Sequence, residues 1–145
     1  MYKTVLLAYD GSSAGNLALT EGSEIALWGQ SNLHLIAVRP EWLTRISVEA
    51  NQYQISVKES DLTYYQEILE SGVSRLMDAG LNATGVIVTG DPVKQILIHA
   101  DRVCADLIVV GQNRCYGWFD RWWTCPVSAK LVEIAPCSVL VAALR

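Results

Sequence analysis

The feature that most constrains this fold is a regular alternation of short apolar runs with segments of helical periodicity. Five apolar runs predict β-strands, at residues 4–8, 33–38, 85–89, 107–110 and 139–142. Between them, apolar side chains recur every three or four residues, the period of a helix with one buried face. This alternation predicts an α/β fold, an open five-stranded parallel sheet with helices on both faces.

Turn and capping residues predict where two of the helices begin and end. The stretch Asp10-Gly11-Ser12-Ser13 supplies a turn and a helix cap after the first strand. Gly29 is expected in the left-handed conformation that ends this first helix. Asp91 is expected to cap a later helix whose first residue is Pro92.

The other helices are expected over residues 56–79 and 127–135. Residues 39–55 between the second strand and its helix have no clear period. A connection of this length inside a compact domain is usually functional or mobile, and it should lie near the ligand-binding edge of the sheet.

Composition excludes several classes of protein. Residues 1–145 are expected to form one domain, and 51% hydrophobic against 18% charged residues excludes disorder. No apolar run reaches the roughly 18 residues that span a bilayer, and the amino terminus lacks a secretory pattern, so we expect a cytoplasmic protein. The net charge of −4 and the lack of a basic stripe argue against a nucleic-acid partner.

The four cysteines and two histidines give no sign of a metal site. No two cysteines form a Cys-x-x-Cys pair, and neither His34 nor His99 lies at the spacing of a zinc ligand. Neither histidine has a recognisable partner in the sequence, and both are interpreted as structural.

Four stretches of the chain together resemble the universal stress protein family. They begin at the first predicted strand and reach the last one, in the family's order and at fitting spacing. The stretches are Val5-Leu6-Leu7-Ala8-Tyr9-Asp10-Gly11-Ser12, Gly90-Asp91-Pro92 with Ile96, Asp106-Leu107-Ile108-Val109-Val110-Gly111, and Ala135-Pro136-Cys137-Ser138-Val139-Leu140-Val141. The resemblance implies strand order 3-2-1-4-5 and usually a dimer.

The resemblance also implies where a nucleotide would bind. ATP-binding members bind between strands one and four, where the strand order reverses, as expected for open α/β sheets. Asp10 matches the family's acid after the first strand, and Val38 matches the valine whose backbone meets adenine. Gly111 matches the glycine after the fourth strand.

The sequence departs from the ATP-binding pattern in the loop after Gly111. Arg114 replaces a second glycine that lets the backbone approach phosphate, and Cys125-Pro126 replaces a Gly-Ser pair at the start of the last helix. Proline removes one amide donor, while the amides of Val127 and Ser128 and the Ser128 hydroxyl are expected to remain available. Arg114 could itself pair with phosphate or be solvated. The chain therefore resembles members that lack the glycine-rich motif.

Two apolar features are candidates for contacts with other chains. Aromatic residues crowd the loop before the last helix, where they form either a hydrophobic plug or an exposed partner-binding patch of Trp118, Phe119, Trp122 and Trp123. The fifth strand should be a sheet edge, and Val139, Leu140 and Val141 predict a homodimer interface there.

Two functions remain open at this point. The first is a non-catalytic, dimeric stress-response regulator with a degenerate nucleotide cleft, no bound cofactor and a protein partner. The alternative is a switch that binds ATP or another adenine nucleotide, or a slow ATPase. No nucleophile–base pair in the sequence marks an enzyme centre, which favours the non-catalytic function.

Overall fold

Strands and helices alternate along the chain as the apolar pattern predicts. A computed structural model describes residues 1–40, 54–112 and 125–144. Within these ranges the elements are β1 Thr4–Ala8, α1 Ser13–Gly29, β2 Asn32–Pro40, α2 Gln54–Asp78, β3 Ala83–Gly90, α3 Pro92–Arg102, β4 Leu107–Gln112, α4 Cys125–Ile134 and β5 Ser138–Ala143. No helix in these ranges is long and apolar enough to span a membrane.

The five strands form one parallel sheet in the order β3-β2-β1-β4-β5. The predicted α/β class and strand order are therefore confirmed. The order reverses at β1, because the chain adds β2 and β3 on one side and β4 and β5 on the other. Strand ends at such a reversal leave a crevice between the loops that depart in opposite directions.

Each face of the sheet is covered by two helices. Val5 and Leu7 of β1 pack on the face that α1 and α2 cover, and Leu6 between them packs on the face that α3 and α4 cover. Successive side chains of a strand point to opposite faces, so a central parallel strand must be apolar at every position. This requirement explains the continuous apolar runs of β1 and β4.

The inner face of helix α1 consists of small residues. Ala14, Ala18, Gly22 and Ala26 follow one another at four-residue spacing and are all buried. A Cβ atom on Gly22 would overlap the side chain of Leu7. The small inner face of α1 therefore allows the helix to pack against Leu7 of β1.

The helix caps are confirmed in part. The Ser12 hydroxyl caps α1, and the Asp91 carboxylate caps α3 by accepting a hydrogen bond of 2.9 Å from the Lys94 amide. The expectation for Gly29 was wrong, because Gln30 adopts the left-handed conformation (φ 51°) and its amide bonds the final carbonyls of α1. At Gly29 the constraint is space: a Cβ would lie 3.2 Å from the Tyr2 carbonyl oxygen.

At the amino ends of the strands, opposite the cavity end, Asp106 links β1 to β4. Asp106 directly precedes β4. Its carboxylate accepts hydrogen bonds from the amides of Lys3 (2.8 Å) and Thr4 (3.0 Å), and its own amide donates to the Thr4 carbonyl. The Lys3 amide, followed by the Thr4 amide, holds the pKa of Asp106 below its ordinary value. The Asp106 carboxylate therefore fastens the start of β1 to the start of β4.

Candidate functional site

A cavity of about 230 Å³ opens at the carboxyl ends of β1 and β4, where the strand order reverses. Its lining comes from β1, β2, β4 and all four helices or the turns before them. The lining residues are Ala8, Tyr9, Asp10, Gly15, Ile36, Val38, Pro40, Tyr65, Pro92, Ile96, Val110, Gly111 and Val127. Within this described lining Asp10 is the one charged side chain. The cavity is therefore an apolar pocket with a single carboxylate at its edge, which is typical of a site for a small ligand that has an apolar part and a polar group.

Asp10 shapes the turn between β1 and α1 as well as lining the cavity. Its Oδ1 accepts hydrogen bonds from the Ser12 amide (3.0 Å) and the Ser12 hydroxyl (2.6 Å). The Ser12 oxygen in turn accepts from the Gly15 amide at 3.0 Å. Asp10 therefore stabilises the turn before α1, whose cap is Ser12, and it also lines the cavity. The turn uses its Oδ1 without using Oδ2.

Gly111 lets the start of α1 approach β4. A Cβ atom on Gly111 would lie 2.7 Å from the Gly15 amide nitrogen and closer still to the Ala14 carbonyl group. The φ angle of Gly111 lies outside the left-handed region, so space, not backbone conformation, requires glycine here. The close approach brings the Asp10 turn and the end of β4 to the same side of the cavity.

The last helix contributes one residue to the cavity and buries another behind it. Helix α4 begins at Cys125, two residues earlier than predicted, so Pro126 occupies its second position. A proline in the first turn costs no helical hydrogen bond. Val127 lines the cavity, whereas Ser128 is buried and its hydroxyl donates to Oε1 of Gln112 at 3.2 Å. The Ser128 hydroxyl expected at the cleft is therefore engaged with the end of β4, and its role as a ligand stays a prediction.

A family model described as the universal stress protein family matches residues 1–143. The chain belongs to the universal stress protein family. The universal stress protein YxiE of Bacillus subtilis (strain 168) is 26% identical over 147 residues, which cover 97% of this chain and 99% of that protein. The family membership confirms the resemblance carried by the four stretches.

Solved universal stress proteins share the fold over nearly the whole chain. One, in complex with cAMP, has a TM-score of 0.70 at 22% identity and covers 97% of this chain and 96% of its own. Another, from Archaeoglobus fulgidus in complex with dAMP, has a TM-score of 0.70 at 19% identity and covers 97% of both chains. At these identities the likeness shows the shared fold.

The structure brings four of the expected nucleotide-site residues to this universal stress protein's cavity. Asp10, Val38, Gly111 and Val127 all line it, although they come from four different parts of the chain. Arg114 lies outside the described residues. Trp118, Phe119, Trp122 and Trp123 of the proposed partner patch also lie outside them, as does 41–53 of the long connection.

Sequence reasoning missed several residues of the cavity lining. Pro40 belongs to β2, which continues two residues beyond its predicted end at Val38. Tyr65 reaches the cavity from α2, and Pro92 and Ile96 reach it from α3. A signal was available for Tyr65, Pro92 and Ile96, because each lies on the inner face or at the start of a predicted helix. Their convergence depends on the order of the strands.

The residues of the predicted dimer edge can also be placed. Val139, Leu140 and Val141 are half-buried in β5, which pairs with β4 at one edge of the sheet.

In the ranges the structure describes, no group of three or more His, Cys, Asp or Glu side chains is placed to hold a metal ion.

Proposed function

We propose that this universal stress protein is a non-catalytic regulator that binds an adenine nucleotide in the cavity between β1 and β4. The observation that carries the proposal is the apolar cavity at the reversal of strand order, with the Asp10 carboxylate at its edge. Relatives of the same fold have been solved with cAMP and with dAMP, and both ligands contain adenine. These two facts favour an adenine nucleotide over a cavity without a ligand.

The chemistry of the lining supports a division of roles. Ile36, Val38 and Val110 offer apolar surface to the base. Asp10 Oδ2 is suited to accept a hydrogen bond from a ribose hydroxyl or an amino group, since a carboxylate is an acceptor only. The sequence departures at Arg114 and Cys125-Pro126 alter the loop and helix start at which the phosphates of ATP would lie. We therefore propose that the base and ribose supply most of the binding energy, and that binding depends weakly on phosphate number.

Titration calorimetry with nucleotide-stripped protein tests this proposal. ATP with magnesium, AMP and cAMP are each expected to bind with a dissociation constant on the order of 100 μM or lower. Asp10→Ala is expected to weaken all three about tenfold, because it removes a charged acceptor worth roughly 1.4 kcal/mol.

Ser12→Ala is the matched control for Asp10→Ala. It removes the α1 cap, at a cost of about 1 kcal/mol of folding stability, but leaves the Asp10 carboxylate in place. Its nucleotide affinity should stay close to that of the wild type. If none of the three nucleotides binds, the regulator acts through partner contacts alone, and the aromatic loop of Trp118 and Trp122 becomes the next surface to test.

We also propose that the protein forms a homodimer through β5. This strand is an edge of the sheet in the described chain, and an apolar edge is prone to pair with another chain. Light scattering at micromolar concentration should report twice the chain mass of 16.0 kDa. A mass that stays at one chain across a dilution series would refute the dimer.

A further inference from the structure

The chain's two histidines meet between the sheet and a helix. His34 lies in β2 and His99 in α3, and their ring centroids are 6.3 Å apart with the rings at 72°, an edge-to-face contact. The sequence offered a partner for neither residue. We call this contact the histidine pair.

His99 is placed where a positive charge would be poorly tolerated. Its side chain is 9% exposed, and its Nδ1 atom is buried with no hydrogen-bond partner in the described structure. A buried imidazolium would leave a charged N–H unpaired, which is more costly than leaving a neutral ring nitrogen unpaired.

The charges near His99 add to the effect of burial. Burial first, then the fields of His34 and of Arg102, lower the pKa of His99 below its ordinary value of 6.5. The strands β1, β3, β4 and β5 contain no ionisable side chains. On the neighbouring α4, Lys130 and Glu133 are both exposed. The neighbours whose fields lower the pKa of His99 are thus His34 and Arg102, both basic side chains that oppose its protonation.

The two elements joined by the histidine pair also line the cavity. In β2, Ile36 and Val38 follow His34 at two-residue steps and so lie on the same face of the sheet. In α3, Ile96 lies three residues before His99, on the same side of the helix. A change in how α3 packs on β2 at the histidine pair therefore reaches the cavity one helical turn away.

We propose that the histidine pair is a proton-sensitive contact that regulates the cavity: acidification loosens α3 from β2 and weakens ligand binding. The effect on ligand binding rests on the proposed adenine-nucleotide function, whereas the effect on folding stability does not.

The direction of the pH effect follows from the lowered pKa of His99. As pH falls through about 6.5, the unfolded chain takes up a proton at this residue before the folded chain does. The stability contributed by the neutral pair is therefore complete above about pH 6.5 and is lost as pH falls toward the lower pKa of the folded state.

The first experiment measures stability without any ligand. Urea unfolding of protein without a polyhistidine tag is compared at about pH 7.5 and about pH 5.5, the range that brackets a histidine titration. The wild type should lose stability at the lower pH, and His99→Phe should lose clearly less. His34→Gln removes a group whose field lowers the pKa of His99, so its loss of stability between the two pH values should be smaller than that of the wild type. Ile98→Ala, at a 42% exposed position on the same helix, should behave like the wild type.

Imidazole NMR gives a direct second measurement, because only two histidines titrate. The signal absent from His99→Phe identifies His99, and its midpoint should lie below 6.5. If His99→Phe does not fold, the His34→Gln variant leaves His99 as the one histidine of the chain, and the midpoint of that NMR signal tests the proposal. A His99 midpoint at or above 6.5, or an equal pH effect on the stability of wild type and His99→Phe, would overturn the proton-sensitive contact.

The second experiment measures ligand binding with cAMP as the probe. Its phosphodiester lacks the second ionisation near pH 6 of a phosphate monoester, so the ligand's charge stays constant across the range. The wild type should bind cAMP at least about threefold more weakly at about pH 5.5 than at about pH 7.5, and His99→Phe should show a ratio near one.

The outcomes separate the two proposals. Equal ratios in wild type and His99→Phe would overturn regulation of the cavity while leaving the nucleotide function intact. Failure of every adenine nucleotide to bind at about pH 7.5 would overturn the nucleotide function and its regulation together. In that case the stability and NMR measurements would still decide whether the histidine pair responds to protons.

Discussion

Gly111→Ala is expected to destabilise the protein by about 3 kcal/mol and to abolish binding at the cavity, although it adds one methyl group. The new Cβ would lie 2.7 Å from the Gly15 amide nitrogen and closer to the Ala14 carbonyl. These are backbone atoms of α1, which cannot rotate away as a side chain can. Relief requires α1 to move off β4, and that movement displaces the Asp10 turn from the cavity.

Gly85→Ala is the matched control for Gly111→Ala. Gly85 lies in β3, and the nearest atoms to its added Cβ are side-chain carbons of Val73 at 2.9 Å and Leu69 at 3.2 Å. These side chains can shift, so we expect a loss of about 1 kcal/mol or less and unchanged cavity binding. Urea unfolding gives both values. Equal losses for the two variants would contradict the backbone contact described for Gly111.

Leu131→Ala is expected to cost about 3 kcal/mol, because it removes the residue that buries α4 in the core. Leu131 is fully buried among residues of the face that α3 and α4 cover. Helix α4 is short, and its first turn supplies Val127 to the cavity and Ser128 to Gln112. Loosening this helix should therefore weaken nucleotide binding as well as folding.

Val132→Ala provides the comparison on the same helix. Val132 is 61% exposed and adjacent to Leu131, so its truncation removes little buried surface. We expect a change within about 0.5 kcal/mol and an affinity like that of the wild type. Thermal or urea unfolding beside calorimetry checks both variants. A loss for Val132→Ala as large as that for Leu131→Ala would mean that α4 packs through a different face.

Local pattern predicted most of the secondary structure, and the reasons are local. The apolar runs of β1 and β4 are continuous because a central parallel strand is buried on both faces. Asp91-Pro92 predicted the start of α3, because the capping bond to Lys94 involves atoms only three residues away. The left-handed residue was misplaced by one position, since the amide of Gln30 reaches the last carbonyls of α1 and that of Gly29 does not serve as the cap.

The candidate site was predictable only in part. Asp10, Val38 and Gly111 were found through resemblance to a family, and all three line the cavity. The reason for Gly111 could not be found in this way, because it depends on the Ala14 backbone of α1, which packs against the end of β4. Likewise, nothing near Ser128 in the sequence indicated that its hydroxyl would bond Gln112.

The sequence by itself determined the α/β class, the order of elements and several capping residues, because periodicity and capping act over fewer than about five residues. Tertiary structure alone decided which side chains meet. The reversal of strand order at β1 brings Asp10, Val38 and Val127 around one cavity. The packing of α3 on β2 places His99 against His34. Contacts of this kind join residues far apart in the chain, and their geometry exists only once the sheet has formed.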